Sequence, residues 1–226
     1  MTPRHGAGPK RPYYSPRTVE RLAMDALEAT GLLPASPGPV RVERFVEKQF
    51  ALAVESEPLA AGVLGCTVFE DGRVRRIVVS NHLDEDPSRV AERRLRTTLA
   101  HEAGHGLMHG ALFNDSYEAS LFDSSEDVQG EKVLCRDGEA GSRYNGKWWE
   151  VQANMMIGPL LLPKLLVMEA LRDFTVESGL GVRVLPTEKR HAAYLEIADI
   201  FNVNPVVAEI RLEAIFPRAS TDQLTL

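Results

Sequence analysis

The strongest chemical signal in the chain is the sequence H-E-x-x-H at residues 101–105. His101 and His105 are four residues apart, so on a helix both imidazoles lie on one face and can reach one metal ion. Glu102 follows the first histidine and can take a proton from a water molecule at that metal. The spacing predicts a catalytic zinc site in which His101 and His105 are ligands and Glu102 is the catalytic carboxylate.

A catalytic zinc site needs a third protein ligand beside an open position for water. The extension H-E-x-x-H-x-x-G-x-x-H would put a histidine at position 111, where the chain has Ala111. His109 lies one turn beyond His105, about 6 Å further along a straight helix, and is better suited to a polar role near the site. A carboxylate from a later segment fits better, and the candidates are Glu118, Glu126, Asp127, Glu131, Glu139 and Glu150.

Glu150 opens an apolar run with helical spacing, and Asn154 stands one turn further on. An amide at that position could accept a hydrogen bond from the free ring nitrogen of a metal-binding histidine. A carboxylate in a first helical turn is also favoured by the helix dipole alone, so the residues leave Glu150 and its competitors open. An H-E-x-x-H helix is typical of metallopeptidases, whose reaction forms an oxyanion that needs a hydrogen-bond donor. Tyr144, His109 and His191 are unranked candidates for that donor.

Composition points to a globular cytoplasmic protein. Of the 226 residues, 44% are hydrophobic and 26% are charged, and the net charge of -6 gives no general attraction to nucleic-acid phosphates. Cys66 and Cys135 are too few for a disulfide scaffold and lack C-x-x-C spacing. The longest apolar run, residues 157–167, contains prolines and a lysine, so we expect neither a signal peptide nor a membrane span.

The predicted elements give an α+β fold. Apolar spacing predicts helices at residues 17–29, 42–50, 88–109, from about 147, 187–201 and 205–216. Strands are predicted at residues 51–55, 63–69 and 74–80, the last two joined by an Asp-Gly turn typical of a hairpin. We therefore expect a small, mainly antiparallel sheet packed on the H-E-x-x-H helix, followed by a C-terminal helical region.

The chain divides into one main domain with extensions. Residues 1–16 are rich in proline and glycine and predict a disordered arm, residues 17–185 a metallopeptidase domain, and residues 218–226 a tail. Residues 113–146 are polar and acidic without a sustained period, which predicts a long surface loop inside the domain. Residues 186–217 predict a helical hairpin whose acidic side chains favour packing over DNA binding.

Two blocks of the chain resemble the ImmA/IrrE family of metallopeptidases. Residues 93–109, R-R-L-R-T-T-L-A-H-E-A-G-H followed by His109, are similar to the family motif R-F-T-L-A-H-E-L-G-H-x-x-x-H. Residues 150–163, E-V-Q-A-N followed by L-L-L-P, are similar to E-W-Q-A-N-x-F-A-A-x-L-L-M-P, whose leading glutamate is the third zinc ligand. A weaker similarity covers residues 197–212. The resemblance spans about residues 40–216 and implies a zincin-like, gluzincin-like fold with Glu150 as third ligand.

The chain departs from the family pattern at residues 156–159, where M-I-G-P replaces F-A-A-x and the proline should kink the helix. The departure affects the expected shape of the substrate cleft more than the metal site.

The resemblance also implies a function. The family consists of bacterial and phage proteins, several of which cleave helix-turn-helix repressors that control stress-response, DNA-repair or mobile-element genes. For this chain it implies an endopeptidase with one Zn²⁺ per chain, acting on a separately encoded repressor or antitoxin. Two histidines and a carboxylate suit zinc well and leave manganese and iron as alternatives. The alternative is a metal-containing regulatory binding module, or a toxin–antitoxin component, that does not cleave its partner.

Overall fold

A computed structural model describes residues 12–113, 132–137, 148–178 and 181–218 of the chain. The first half comprises α1 (Pro16–Thr30), α2 (Val42–Phe50), β1 (Val54–Glu57), β2 (Val63–Glu70), β3 (Arg73–Ser80), α3 (Asn81–Asp84) and α4 (Arg89–Met108). The second half comprises β4 (Lys132–Asp137), α5 (Trp148–Leu161), α6 (Lys164–Ala170), β5 (Val176–Glu177), β6 (Arg183–Val184), α7 (Arg190–Ile200) and α8 (Pro205–Ile215). The predicted α+β class is confirmed.

The main sheet has four strands in the order β1-β3-β2-β4. Strands β1 and β3 are parallel, whereas β2 is antiparallel to both of its neighbours. Asp71 and Gly72 join β2 to β3 with φ angles of 48° and 74°, the backbone conformation that tight hairpin turns require. Two of the three strand pairs, β3–β2 and β2–β4, are therefore antiparallel.

Strand β4 corrects the predicted loop at residues 113–146. Its backbone pairs with β2 over residues 132–137, while residues 114–131 and 138–147 lie outside the described part of the chain. The strand contains only three consecutive apolar residues, too few to show a period. It is stabilised by pairing with a strand that is distant in sequence, which local patterns do not reveal.

Helix α4 is the central helix of the molecule. Ser88 caps it by accepting a hydrogen bond from the Ala91 backbone N–H at 3.1 Å. Every residue from position 97 to 105 is buried, since α4 packs against the sheet on one side and against α5 on another. The residues of the H-E-x-x-H sequence are therefore enclosed by two other elements.

Two glycines allow these close contacts. A Cβ atom at Gly104 would lie 3.0 Å from the carbonyl oxygen of Ala153 on α5, and one at Gly65 on β2 would lie 2.6 Å from Thr98 Cγ2 on α4. Any larger side chain would hold α4 away from α5 or from the sheet. Glycine at these positions brings three elements together around the histidines.

A buried arginine, Arg93, and a partly buried one, Arg96, connect α4 to the C-terminal helices. Arg93 donates hydrogen bonds to the Ala198 carbonyl and to Asp199, and Arg96 donates to the Asn202 carbonyl. Arg93 therefore binds a carbonyl in the last turn of α7, and Arg96 binds one in the turn that follows the helix. One buried apolar cluster includes side chains from every helix between α1 and α8 except α3, and the predicted domain boundary at residue 186 stays a prediction.

Helix α5 contains Pro159 and continues to Leu161. The chain changes direction by 50° between α5 and α6, so the break follows residue 161 and does not coincide with the proline. Among the described residues no single helix is long and apolar enough to cross a membrane; the bent pair α5 and α6 meets that criterion only when taken together.

The predicted disordered arm at residues 1–16 is wrong for residues 12–16. Ser15 caps α1 by accepting a hydrogen bond from Thr18 N–H, α1 begins at Pro16, and the Tyr14 hydroxyl donates to the Met108 carbonyl at 3.0 Å. An aromatic ring with a polar end can bind the terminus of α4, which proline and glycine content does not indicate. Residues 1–11, and residues 219–226 of the predicted tail, lie outside the described part of the chain.

Candidate metal centre

The structure brings His101, His105 and Glu150 together at the contact between α4 and α5. His101 Nε2 lies 3.0 Å from Glu150 Oε2 and 3.0 Å from His105 Nε2, and His105 Nε2 lies 3.5 Å from Glu150 Oε1. The three side chains each direct one donor atom to a common point. Of the sequence candidates for the third ligand, Glu150 is the one found there, and the five acidic competitors lie outside the described residues.

These distances fit a metal ion. Zinc binds histidine nitrogen and carboxylate oxygen at about 2.0–2.2 Å in a tetrahedron, which places neighbouring donor atoms about 3.4 Å apart. The two Nε2 atoms lie 3.0 Å apart, and each lies near a different oxygen of Glu150, at 3.0 Å for Oε2 and 3.5 Å for Oε1, so every separation is within a few tenths of an ångström of that value. The arrangement is compatible with a metal site, and among the described residues no fourth histidine, cysteine or acidic side chain joins the three.

Hydrogen bonds on the far side of each imidazole set its orientation. His101 Nδ1 lies 3.0 Å from Asn154 Oδ1, and because an amide oxygen only accepts, Nδ1 carries the hydrogen. The Nε2 lone pair of His101 then faces the donor group. Asn154 thus contacts His101 in the way the sequence predicts.

His109 lies behind His105 and not among the donor atoms. Its Nδ1 is 2.9 Å from His105 Nδ1, and its Nε2 is 3.0 Å from Gln152 Oε1. Trp148 packs edge-on against the His109 ring with centroids 5.9 Å apart. This geometry agrees with a supporting role for His109 and places Gln152, which the sequence analysis missed, in the same network.

Burial and neighbouring charges set the protonation of the group. Burial lowers the pKa of His109 to about 4, and repulsion from His105 adds to the effect, so its ring is neutral at neutral pH. Burial alone would raise the pKa of Glu150, but the hydrogen bonds and charges of His101 and His105 outweigh it and hold that pKa well below its usual range. The site therefore presents an ionised carboxylate beside two imidazoles.

Glu102 points toward strand β2. The Thr67 hydroxyl lies 2.8 Å from Glu102 Oε2, within donating distance, and a Cβ at Gly65 would lie 3.1 Å from Oε1. Thr67 and Glu102 are both fully buried. Thr67 and Gly65 were missed by the sequence analysis, since nothing in β2 indicates which helix residue it will face.

The side chains of the site have little contact with solvent. His101 is 1% exposed and both Glu102 and His105 are 0% exposed, whereas the Glu150 side chain is 18% exposed. A surface depression of about 490 Å³ lies at the β2–β3 hairpin, and its lining residues are Glu70, Asp71, Arg73, Val74 and Arg75. Of these four residues, Glu150 therefore has the most contact with solvent, and none of the four lines that depression.

Neither of the other two oxyanion candidates is seen at the site among the described residues. Tyr144 lies outside them, and His191 lies on the exposed surface of α7, outside the donor group.

No family model matches the chain, and no curated protein matches it.

Proposed function

We propose that the protein is a zinc-dependent endopeptidase of the ImmA/IrrE type, with a zincin-like arrangement of sheet and H-E-x-x-H helix. One observation carries the proposal: His101, His105 and Glu150 direct donor atoms to one point at separations of 3.0–3.5 Å. Two histidines and a glutamate with an open position make up a catalytic zinc set, whereas structural zinc sites use four protein ligands.

The chain's own residues supply the proton transfer. Zinc at this point would lower the pKa of water and polarise the scissile carbonyl. Glu102 accepts the proton of the attacking water and delivers it to the leaving amine. Thr67 holds one oxygen of that carboxylate by a 2.8 Å hydrogen bond, so the group keeps one orientation while it exchanges the proton.

The substrate class follows from the resemblance of residues 93–109 and 150–163: a regulatory protein, either a helix-turn-helix repressor or an antitoxin, encoded as a separate chain. The inward-facing cations of the C-terminal hairpin support a role without DNA contact. Arg190 donates to the Phe216 carbonyl at 2.7 Å and Arg211 donates to the Leu162 carbonyl at 2.9 Å, and both are buried. Neither guanidinium is offered to phosphates.

The test uses the purified full chain and the repressor encoded beside its gene. Zinc content is measured by elemental mass spectrometry, and cleavage by intact-mass measurement of the repressor. We expect one zinc per chain and discrete fragments from the natural protein, no fragments and normal zinc from Glu102→Gln, and loss of zinc from His101→Ala and Glu150→Ala.

Glu92→Gln is the matched control, because it removes an exposed carboxylate from the same helix. It should cleave at the natural rate. Full cleavage by a zinc-loaded Glu102→Gln protein would contradict the role of Glu102, and unchanged zinc in Glu150→Ala would contradict the ligand assignment.

A second candidate function is a metal-containing regulatory module that binds its partner without cutting it. The observation in its favour is the burial of His101, Glu102 and His105, none of which is more than 1% exposed. The same incubation separates the two: a stable complex of two intact masses supports the module, and fragments support the peptidase.

A further inference from the structure

Behind the metal centre, four groups form a continuous chain of hydrogen bonds that ends at the N-terminal segment. Gln152 Nε2 lies 2.7 Å from the Pro12 carbonyl oxygen, Gln152 Oε1 lies 3.0 Å from His109 Nε2, and His109 Nδ1 lies 2.9 Å from His105 Nδ1. His105 Nε2 then faces Glu150 and His101. The order of donors and acceptors along this chain is set by its last member, the Pro12 carbonyl.

A backbone carbonyl can only accept, so the NH₂ group of Gln152 must face Pro12. The amide oxygen of Gln152 therefore faces His109 and must receive a hydrogen, which assigns the ring hydrogen of His109 to Nε2. A neutral ring with hydrogen on Nε2 has its lone pair on Nδ1, so His105 Nδ1 is the donor across the 2.9 Å contact. His105 is left with a lone pair on Nε2, the atom in the donor group.

We propose that Gln152 and His109 are positioning residues that hold His105 in its Nδ1–H form, with Nε2 ready to bind metal. The hydrogen bonds from Pro12 through Gln152 and His109 to His105 form a relay, and the Pro12 carbonyl sets which atom donates and which accepts at each step. The proposal rests on the metal-binding part of the proposed function and is independent of peptidase activity.

Burial makes this arrangement specific. His105 and His109 are 0% exposed and Gln152 is 9% exposed, so water does not compete for these hydrogen bonds. Pro12 is itself held in place, because the Tyr14 hydroxyl donates to the Met108 carbonyl and Ser15 caps α1. A segment that begins outside the helices thus supports a ligand on α4 through two side chains.

The experiment measures zinc affinity and ring tautomer in the full-length protein. Zinc affinity is obtained by competition with a chromophoric chelator, and the tautomer of His105 in the metal-free protein by long-range ¹H–¹⁵N correlation of the imidazole. Gln152→Leu removes both the oxygen and the NH₂ of the side-chain amide at similar volume. We expect zinc binding about 10- to 100-fold weaker, as for other residues that orient a metal ligand, and loss of the single Nδ1–H form of His105.

Gln152→Glu gives a conservative rescue. Its carboxylate only accepts, so it still receives the hydrogen of His109 Nε2 and should retain the Nδ1–H form of His105. The hydrogen bond to the Pro12 carbonyl is lost and the two oxygens repel each other, so we expect only part of the lost affinity to return. Met155→Leu is the matched control on the same helix, since it changes a partly buried apolar side chain and no hydrogen bond of the relay.

Two results would overturn the proposal. One is unchanged zinc affinity in Gln152→Leu. The other is weaker binding with His105 still entirely in the Nδ1–H form, because the defect would then lie in packing and not in tautomer selection. If the natural protein binds no zinc, the proposed function fails, whereas the tautomer comparison still decides whether the relay exists.

Discussion

Gly104→Ala tests whether the close approach of α4 and α5 sets the position of Glu150, the proposed third ligand. The added Cβ would lie 3.0 Å from both the Ala153 carbonyl oxygen and Met156 Cβ. Carbon atoms in contact prefer about 3.5 Å or more, so α5 must move by about 0.5 Å. Ala153 is one helical turn from Glu150, so the movement carries the carboxylate away from the histidines.

The magnitudes predict a selective effect on metal binding. Replacing a helical glycine by alanine stabilises the helix by about 1 kcal/mol, while overpacking costs about 1–3 kcal/mol, so the net loss of unfolding free energy is roughly 0–2 kcal/mol. Ligand distances are held to about 0.2 Å in metal sites, so a shift of about 0.5 Å exceeds the tolerance. We expect zinc affinity to fall about tenfold or more, equivalent to about 1.4 kcal/mol.

The assay combines chelator competition for zinc with urea unfolding of the metal-free protein. Gly158→Ala is the matched control, because it makes the same change on α5 where the new Cβ meets the Arg211 side chain at 3.1 Å and no backbone atom. The control should bind zinc normally. If Gly104→Ala binds zinc as tightly as the natural protein, the helix approach does not set the position of Glu150.

Three further predictions concern other contacts. Thr67→Val removes the hydroxyl that binds Glu102 and should lower the cleavage rate about tenfold with unchanged zinc content; a normal rate would exclude an orienting role. Arg93→Ala removes a buried guanidinium that donates to the Ala198 carbonyl and to the Asp199 carboxylate, and should reduce the unfolding free energy by about 1.5–3 kcal/mol, measured in urea. The Arg76 guanidinium, by its hydrogen bond, holds the pKa of Glu55 in the folded protein below the ordinary value of 4.5. This ion pair therefore stabilises the folded protein above pH 4.5, and its contribution to the unfolding free energy is lost as the pH falls through the lowered folded pKa. Arg76→Gln should flatten this part of the curve of unfolding free energy against pH; an unchanged curve would remove the ion pair as its cause.

Local signals in the sequence predict the central helix and two of its site residues. The Ser88 cap and the periodic apolar residues predict a helix at residues 88–109, and the structure has Arg89–Met108. His101 and His105 converge because they are four residues apart on one helix, and no other element is needed to align them. These parts of the site depend on short-range geometry, which a single sequence contains.

Contacts between distant segments are not predictable in the same way. The residues alone could not choose Glu150 among six acidic candidates, and only its resemblance to a family motif separated it from the others. Thr67 binds Glu102 across 35 positions, and Gln152 binds Pro12 across 140 positions. Such pairs depend on how the sheet and the helices pack, and neither partner carries a local pattern that identifies the other.

Helix α5 contacts the two histidines of α4 and the histidine that follows it through alternate residues: Glu150 faces His101 and His105, Gln152 faces His109, and Asn154 faces His101. A substitution removes one of these contacts, whereas inserting or deleting one residue between them turns one part of the helix by about 100° relative to the other and disrupts several contacts together. Substitutions at the residues that separate these three positions should therefore be tolerated better than insertions or deletions there. In distant relatives, the spacing E-x-Q-x-N should be a better diagnostic of a retained metal centre than overall identity.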